Sequence, residues 1–450
     1  MSRQRPLPQF RLLPLLLALG ASVSLSAQAQ SLVDLYDAAR NYDATYQSAK
    51  SQYDATLAKA AQAKAAILPT AGLTATASQT NQDNQLPTAT AKNYNYTGQT
   101  TTLAVSQPLY RPANWASYEQ GNKSVDLAQA QLTAAEQDLI VRVSQAYFDV
   151  LASTDSLAFV KSQKAAVAEQ LASAQRNFEV GTSTITDSRE AQARFDLVVA
   201  QELAAENDLR VKSLALDQLV GQTHTSPKPL RAPLVLAELQ PADVEQWVIQ
   251  SQDNQPSIRQ AALALDVAKL ETSKAEAGHK PTLDLTGSYT VAQTQDGTSS
   301  LVGVSTRANL ATVGVTFTLP LFAGFSTQNR VKETLALEEK ARADLETARR
   351  GVAQGTRTAF YGVQSGQAQV KALEAAEASS QSALEANKLG YQVGVRINID
   401  VLNAQSQLFD TKAKLAKARY DVLVGGLKLR QASGVLAASD LQSINSQLAP

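Results

Sequence analysis

The sequence contains no cysteine, two histidines (His224 and His279) and a single methionine, Met1. Without cysteine there is no disulfide, thiolate metal site, cysteine nucleophile or lipid-modified N-terminal cysteine. Two histidines cannot build a histidine metal cluster, and they leave at most two candidate bases for a Ser-His-Asp triad. No metal, no cofactor and no enzyme activity are therefore expected. An excess of one charge is also missing, with 41 basic residues against 41 acidic ones in 450. A nucleic-acid partner would normally demand a basic excess, so none is expected.

Long apolar runs are scarce as well. The longest stands near the N-terminus, where Arg3, Arg5 and Arg11 flank the stretch from Leu12 to Ala21. Ala27-Gln28-Ala29 then fits a small-x-small cleavage site, which makes residues 1–29 a signal peptide and Gln30 the first mature residue. A membrane anchor is the alternative reading, but the run is short and Pro14 interrupts it. Loss of the leader leaves 38 basic against 41 acidic residues, a net charge of −3. An exported chain without a membrane helix is periplasmic, secreted or an outer-membrane barrel.

Proline and glycine are absent from long stretches: 31–68, 122–180 and 182–220 have neither, and no proline occurs between Pro320 and Pro450. These segments are rich in the helix formers Ala, Gln, Leu, Glu and Lys. At ~1.5 Å per residue, 122–180 alone would make a helix of about 90 Å. Its apolar positions follow a heptad seam. Leu132, Leu139, Ala146, Ser153, Val160, Val167 and Ala174 interleave with Val143, Val150, Leu157, Lys164, Leu171 and Phe178. The pattern suits supercoiled helices or a helix buried in a bundle; length and alanine content favour the former.

Between the helical blocks the period changes to two. Val313 to Leu321 and Leu283 to Val291 alternate apolar with small or polar residues, and Leu73 to Ser78 and Leu103 to Leu109 do so more weakly. Polar linkers at 81–99 and 293–309 make two hairpins of these four strands. In the last strand Val313, Val315, Phe317 and Leu319 form the apolar face, expected to meet lipid. Thr312, Thr316 and Thr318 form the other, expected to line a lumen.

The chain is also duplicated. Pro69-Thr70-x-x-Leu73-Thr74 recurs as Pro281-Thr282-x-x-Leu285-Thr286, and Pro108-Leu109 as Pro320-Leu321. Phe178-x-Val180-Gly181 recurs as Tyr391-x-Val393-Gly394, Asp187 as Asp400, and Ala191-Gln192 as Ala404-Gln405. The division expected is a first repeat at 30–220 (helix, two strands, long helix, helix), an irregular connector at 221–256, a second repeat at 257–438 and a tail at 439–450. Four strands cannot close a membrane barrel, and open edges cannot stand in a bilayer. Three chains would supply twelve strands. A soluble periplasmic sheet is the competing reading of the strands. A periplasmic adaptor also carries a long helical hairpin, but it needs neither two lipid-facing strand pairs nor the full duplication.

With these markers in place, the sequence resembles the TolC-type outer-membrane efflux and type I secretion channels over nearly all of the mature chain. The residues that carry the resemblance are Ile67-Leu68-Pro69, Gln107-Pro108-Leu109-Tyr110, Ala146-Tyr147-Phe148, Phe178-x-Val180-Gly181-x-x-x-Ile185-Thr186-Asp187 and Gly390-Tyr391-x-Val393-Gly394-x-Arg396. The resemblance implies an α+β membrane protein: a homotrimer with a twelve-stranded β-barrel in outer-membrane lipid, continued by a coiled-coil α-helical barrel through the periplasm. It implies docking, through a periplasmic adaptor (membrane fusion protein), onto an inner-membrane transporter of ABC or RND type, and export of drugs, toxic compounds or proteins. It further implies a periplasmic gate tied by Tyr391 and Arg396, with Asp187 and Thr186 as acceptors. Asp187 and Asp400 also suit acids that open a helix, so both readings stand at this point. The family pattern has two aspartates lining the mouth; here they match Asp400 and Asn403. The neutral Asn403 leaves one acidic ring and an expected residual cation preference. Gly181 and Gly394 read as glycines that end the long helices.

Overall fold

The computed structural model describes residues 29–84, 92–231, 236, 238–297 and 303–449. The expected leader before Ala29, Pro233 of the connector and parts of both polar linkers lie outside the described residues.

The first half runs α1 (Leu32–Tyr42), α2 (Ala44–Ala65), β1 (Thr70–Asn84), β2 (Lys92–Tyr110), α3 (Pro112–Glu179) and α4 (Ile185–Val220). The second runs α5 (Val244–Asn254), α6 (Pro256–Glu276), β3 (Thr282–Gln295), β4 (Thr306–Thr318), α7 (Ser326–Gln392) and α8 (Asn398–Ala432), before a final α9 (Ser439–Asn445). The duplication extends to element lengths. The long helices α3 and α7 have 68 and 67 residues, and α4 and α8 have 36 and 35. Near 1.5 Å per residue, α3 and α7 are each about 100 Å long.

Three boundaries differ from those read in the sequence. The helix expected from residue 122 starts at Pro112 and passes through Gly121. A Cβ at Gly121 would stand 3.1 Å from the Ala63 Cβ of α2, so this glycine lets two helices approach rather than ending one. The connector expected over 221–256 is not irregular throughout, because α5 forms inside it. Asp243 caps α5 by accepting from the Glu245 amide, and Trp247 and Val248 are buried. Its prolines flank the helix: Pro241 precedes it and Pro256 opens α6 at a position that needs no N–H donor. In element order, α5 stands in the second half where α1 stands in the first. The polar linkers are shorter than expected, since β1, β2, β3 and β4 all continue into them.

Near the sheet, α2 and α6 pack on α3, and α6 on α7; farther away α4 and α8 pack on α3, and α8 on α7. Along the predicted seam of α3, Leu139, Val143, Val150, Ser153, Val167 and Ala174 are buried, whereas Phe178 at its end is exposed. Lys164, the charged residue within it, reaches across to Glu202 of α4 at 2.5 Å. The largest apolar cluster gathers α1, α3, α4, α8 and α9 around Leu32, Leu139, Tyr147, Phe148 and Leu441. The buried Tyr147 hydroxyl donates to the Lys228 carbonyl at 2.8 Å, which anchors the connector to this core.

All four strands form one antiparallel sheet in the order β1-β2-β3-β4. Partners across an antiparallel ladder share a face, so its two faces can be read in rows. One carries Ala71, Val105, Gly287 and Val313, then Leu73, Leu103, Tyr289 and Ala311. Leu285 with Val315, and Leu283 with Phe317, extend this apolar face toward the helices. The other face carries Thr70, Ser106, Thr286 and Gly314, then Gly72, Ala104, Ser288 and Thr312, then Thr74, Thr102, Thr290 and Leu310. Across it the Thr102 and Thr290 hydroxyls lie 3.0 Å apart. Leu319 falls just past the end of β4 and continues the apolar side as an exposed residue, followed by the exposed Leu321 and Phe322. Where the sheet meets the helices, Arg111 grips Asp284 through two hydrogen bonds of 2.7 and 2.6 Å. This bidentate pair joins α3 of the first repeat to β3 of the second.

Candidate functional site at the hairpin tips

The long helices end far from the sheet in two tight turns, one joining α3 to α4 and the other α7 to α8. Both turns are built alike. The Thr182 amide donates to the Asn177 carbonyl and the Gly181 amide to the Phe178 carbonyl; the Val395 and Gly394 amides repeat this with Gly390 and Tyr391. Those are Schellman closures. They need a left-handed residue, and Gly181 and Gly394 supply it at φ +77° and +80°. A glycine role in ending the helices, as read from the sequence, is what the turns display. Gly390 does something different: a Cβ there would meet the Arg396 side chain at 2.7 Å, so its absence lets that arginine fold over the helix end.

The side chains at the two tips differ. Asp187 is the third residue of α4 and forms a capping box with Thr184. Its Oδ2 accepts from the Ser183 hydroxyl at 2.7 Å, the Thr184 hydroxyl at 2.8 Å and the Thr184 amide at 3.1 Å. These donors, Ser183 foremost, hold the Asp187 carboxyl below the usual carboxylate range. The helix-opening role weighed for Asp187 is therefore present. All three donors use Oδ2, and Oδ1 has none among the described residues. Thr186 is exposed beside it. At the second tip Ile397 occupies the capping position and offers no side-chain cap. Asp400 opens α8 and pairs with Arg396 at 3.6 Å, both partly open to solvent.

Within one protomer the residues expected at a gate do not bring their side chains together: neither Tyr391 nor Arg396 bonds to Asp187 or Thr186 among the described contacts. Tyr391 packs beside Leu384, Val401 and Leu408, and its hydroxyl accepts from Asn177 Nδ2 at 3.2 Å. Asn403 accepts from Arg194 of α4 at 2.6 Å. Further links cross between the hairpins: Gln170 donates to the buried Asn398, Asn398 donates to the Asp187 carbonyl at 3.4 Å, and Gln163 donates to Ser406 at 3.3 Å. Near the tips α8 thus meets α3 and α4 through neutral polar contacts and through the buried Leu402, which packs with Val167, Ala174, Ala191 and Val198. Sequence reasoning missed Gln163, Gln170 and Asn177. Their signal was present, because they repeat every seven residues along α3 on a stripe of their own.

Comparison with known proteins accords with this architecture. The family described as "Outer membrane efflux protein" matches residues 35–222 and 247–435, one stretch for each repeat. The chain is 34% identical over 444 residues to the outer membrane protein TolC of Vibrio cholerae, covering 97% of this chain and 98% of that one. It is 30% identical to TolC of Escherichia coli, covering 97% and 89% of the two chains. The proteases secretion protein PrtF of Dickeya chrysanthemi is also 30% identical, over 93% of this chain and 91% of its own. Among solved structures, the outer membrane protein VceC of Vibrio cholerae shares the fold with a TM-score of 0.76 at 20% identity, covering 90% of this chain and 96% of that one. The open state of the Neisseria gonorrhoeae MtrE outer membrane channel does so at 0.71 and 20% identity, covering 90% and 89%. This chain belongs to the outer membrane efflux protein family, a family of exit ducts through the outer membrane and not of enzymes.

Proposed function

We propose that three copies of this chain close one twelve-stranded barrel and one helical tunnel, and that the assembly passively conducts drugs, toxic compounds or proteins from the periplasm to the exterior. The observation that carries this reading is the open four-stranded sheet, whose two faces are so unlike. Its edge strands β1 and β4 have one partner each, and a bilayer leaves no water for their free backbone groups. Closure by neighbouring copies satisfies them. The apolar face then meets lipid through Val313, Val315 and Phe317, with Leu319 at the membrane boundary, and the hydroxyl-rich face lines the water-filled bore.

In this reading the hairpin tips form the periplasmic mouth, lined by Asp400 and Asn403. An inner-membrane transporter of ABC or RND type, reached through a periplasmic adaptor, opens it. Tyr391 and Arg396 of one hairpin tie to Asp187 and Thr186 of a neighbouring one. Two features support this gate. Arg396 is mostly exposed and loosely paired at 3.6 Å, free to take a better acceptor. Asp187 holds its capping donors on Oδ2, which leaves Oδ1 for a guanidinium from outside the protomer.

Single-channel recording in planar bilayers tests the gate. Each link is worth ~1–3 kcal/mol, and three subunits multiply the loss. The double variant Tyr391→Phe, Arg396→Ser is expected to keep its trimer band in detergent and to show raised conductance. A conductance equal to that of the parent would mean the mouth lies elsewhere.

A further inference from the structure

Among the described residues, enclosed side-chain oxygens of Gln30, Gln405, Asn445 and Gln447 accept no hydrogen bond. Three of these residues stand near the ends of the described chain. Gln405 stands inside α8, one heptad beyond Asn398, and is 3% exposed. This helix packs on both α3 and α7. Around Gln405, Val401 and Leu408 pack with Leu384 of α7, and Leu402 packs with Val167 and Ala174 of α3 and Val198 of α4. Other polar groups of this seam are matched: Asn398 accepts from Gln170, and Ser406 from Gln163 at 3.3 Å. The repeat supplies a comparison, because Gln405 recurs as Gln192 of α4. Gln192 is only partly enclosed, and its Nε2 donates to Asp196 Oδ1 at 2.9 Å. Four residues after Gln405 stands Phe409, which offers no hydrogen-bonding group.

We infer that Gln405 is a positioning residue that biases the gate toward opening, because its buried amide opposes the seating of α8 between α3 and α7. The inference rests on the tips being the mouth, with the described packing of α8 as the resting arrangement. An amide oxygen taken from water without gaining a donor costs free energy, and apolar neighbours raise that cost by lowering the local dielectric. Seating α8 gains the burial of Val401, Leu402 and Leu408 and meets the cost of Gln405 at the same level of the helix. When α8 moves off either neighbour, water reaches the amide, and that cost is recovered as the apolar contacts are lost. The lower part of α8 is thereby held less tightly than its apolar contacts alone would hold it. In the proposed gate, ties through Tyr391 and Arg396 keep it seated, and Gln405 makes it ready to leave when they break.

Hydrogen exchange of the assembled channel in detergent reads the bias. Gln405→Leu replaces the amide by an apolar group of similar size and should slow exchange of the backbone amides around Gln405 by about tenfold. Gln407→Leu, at an exposed position of the same helix, should leave them within about twofold of the parent. Leucine branches where glutamine does not, so Gln405→Met repeats the test with an unbranched side chain. Unchanged or faster exchange in both Gln405 variants, or failure of both to assemble, would overturn the inference, since the amide would then be satisfied where it lies. Conductance separates this outcome from a failure of the gate reading. Added to Tyr391→Phe, Arg396→Ser, the Gln405→Leu change should bring the raised conductance back toward that of the parent. Slower exchange with the conductance of that triple variant unmoved would refute the link between Gln405 and the mouth. A double variant that conducts like the parent removes the mouth reading itself, whatever exchange shows at Gln405.

Discussion

The sheet and the hairpin tips stand at opposite ends of the long helices and hold their shape by different means. In the sheet the specification is spread over whole faces. Apolar side chains predominate on one side and threonine, serine, glycine and alanine on the other, with Leu310 an exception, so the strands repeat much the same instruction. At the tips it is concentrated in a few polar contacts, several of them exposed and one as long as 3.6 Å. A face-wide pattern tolerates the loss of one contact but not a charge on the wrong side. A handful of hydrogen bonds near 1 kcal/mol each can be exchanged for others. That difference suits a permanently closed wall at one end and an opening at the other.

The two tips extend the comparison. Their backbones are nearly the same, with matching Schellman turns and glycines at φ +77° and +80°. Only the first carries a capping box; the second begins α8 behind Ile397 without one. Near its end the first hairpin also packs around Val167, Ala174, Ala191 and Val198, with Leu402 of the second added to that cluster. Duplication has produced two turns of one shape with different side chains: a capping box at the first, and a cluster of Leu384, Val401 and Leu408 beside Tyr391 at the second.

The largest effect should come from placing charge on the sheet. A cation facing lipid near the midplane costs ~2–4 kcal/mol, and an assembly of three would carry it three times. Val315→Arg is expected to abolish the heat-modifiable trimer band from detergent-solubilised membranes, while the adjacent Thr316→Arg keeps it. Similar yields for the two would erase the distinction between the faces.

Smaller changes probe the turns. Alanine at a left-handed position costs ~1–2 kcal/mol, and neither Gly181 nor Gly394 has a neighbour that an added Cβ would strike. Gly181→Ala and Gly394→Ala should therefore raise local amide exchange at their respective tips to a similar extent. An effect at one tip alone would show that the shared backbone does not dominate. Thr184→Ala removes the capping box and, at ~1 kcal/mol, should speed exchange at the start of α4 roughly fivefold. Ile397→Ala has no cap to lose and should leave the start of α8 unchanged; equal acceleration in both would break the asymmetry.

The smallest effect is pH dependence. Because hydrogen bonds lower the folded carboxyl pKa of Asp187, its contribution is complete above the ordinary aspartate value of about 3.9 and is lost as pH falls through the lowered one. Amide exchange at the first tip, corrected for intrinsic rates, should stay flat from neutral pH to about 5 and rise only below about 4. A rise already present near pH 6 would assign the titration to another group.

The sequence by itself determined the elements and their order. Alternation in the segments around Leu285 and Val315 specified strands because a pleated backbone sends successive side chains to opposite faces. Stretches without proline or glycine specified helices of unusual length, and the recurrence of Pro69 at Pro281 and of Gly181 at Gly394 exposed the repeat. Where local signals conflicted, that reading was incomplete. The prolines around α5 hid a helix that they only flank, and Gly121 resembled a helix end although it is a point of close approach to α2. What the tertiary structure alone decided was the choice of partners at the tips. That Tyr391 meets Asn177 and that Arg194 reaches Asn403 follow from how the two hairpins lie against each other. Helical periodicity sets which face a side chain occupies. It carries no information about which residue, some two hundred positions away, is brought opposite that face, because only the packing of α3, α4, α7 and α8 sets that distance.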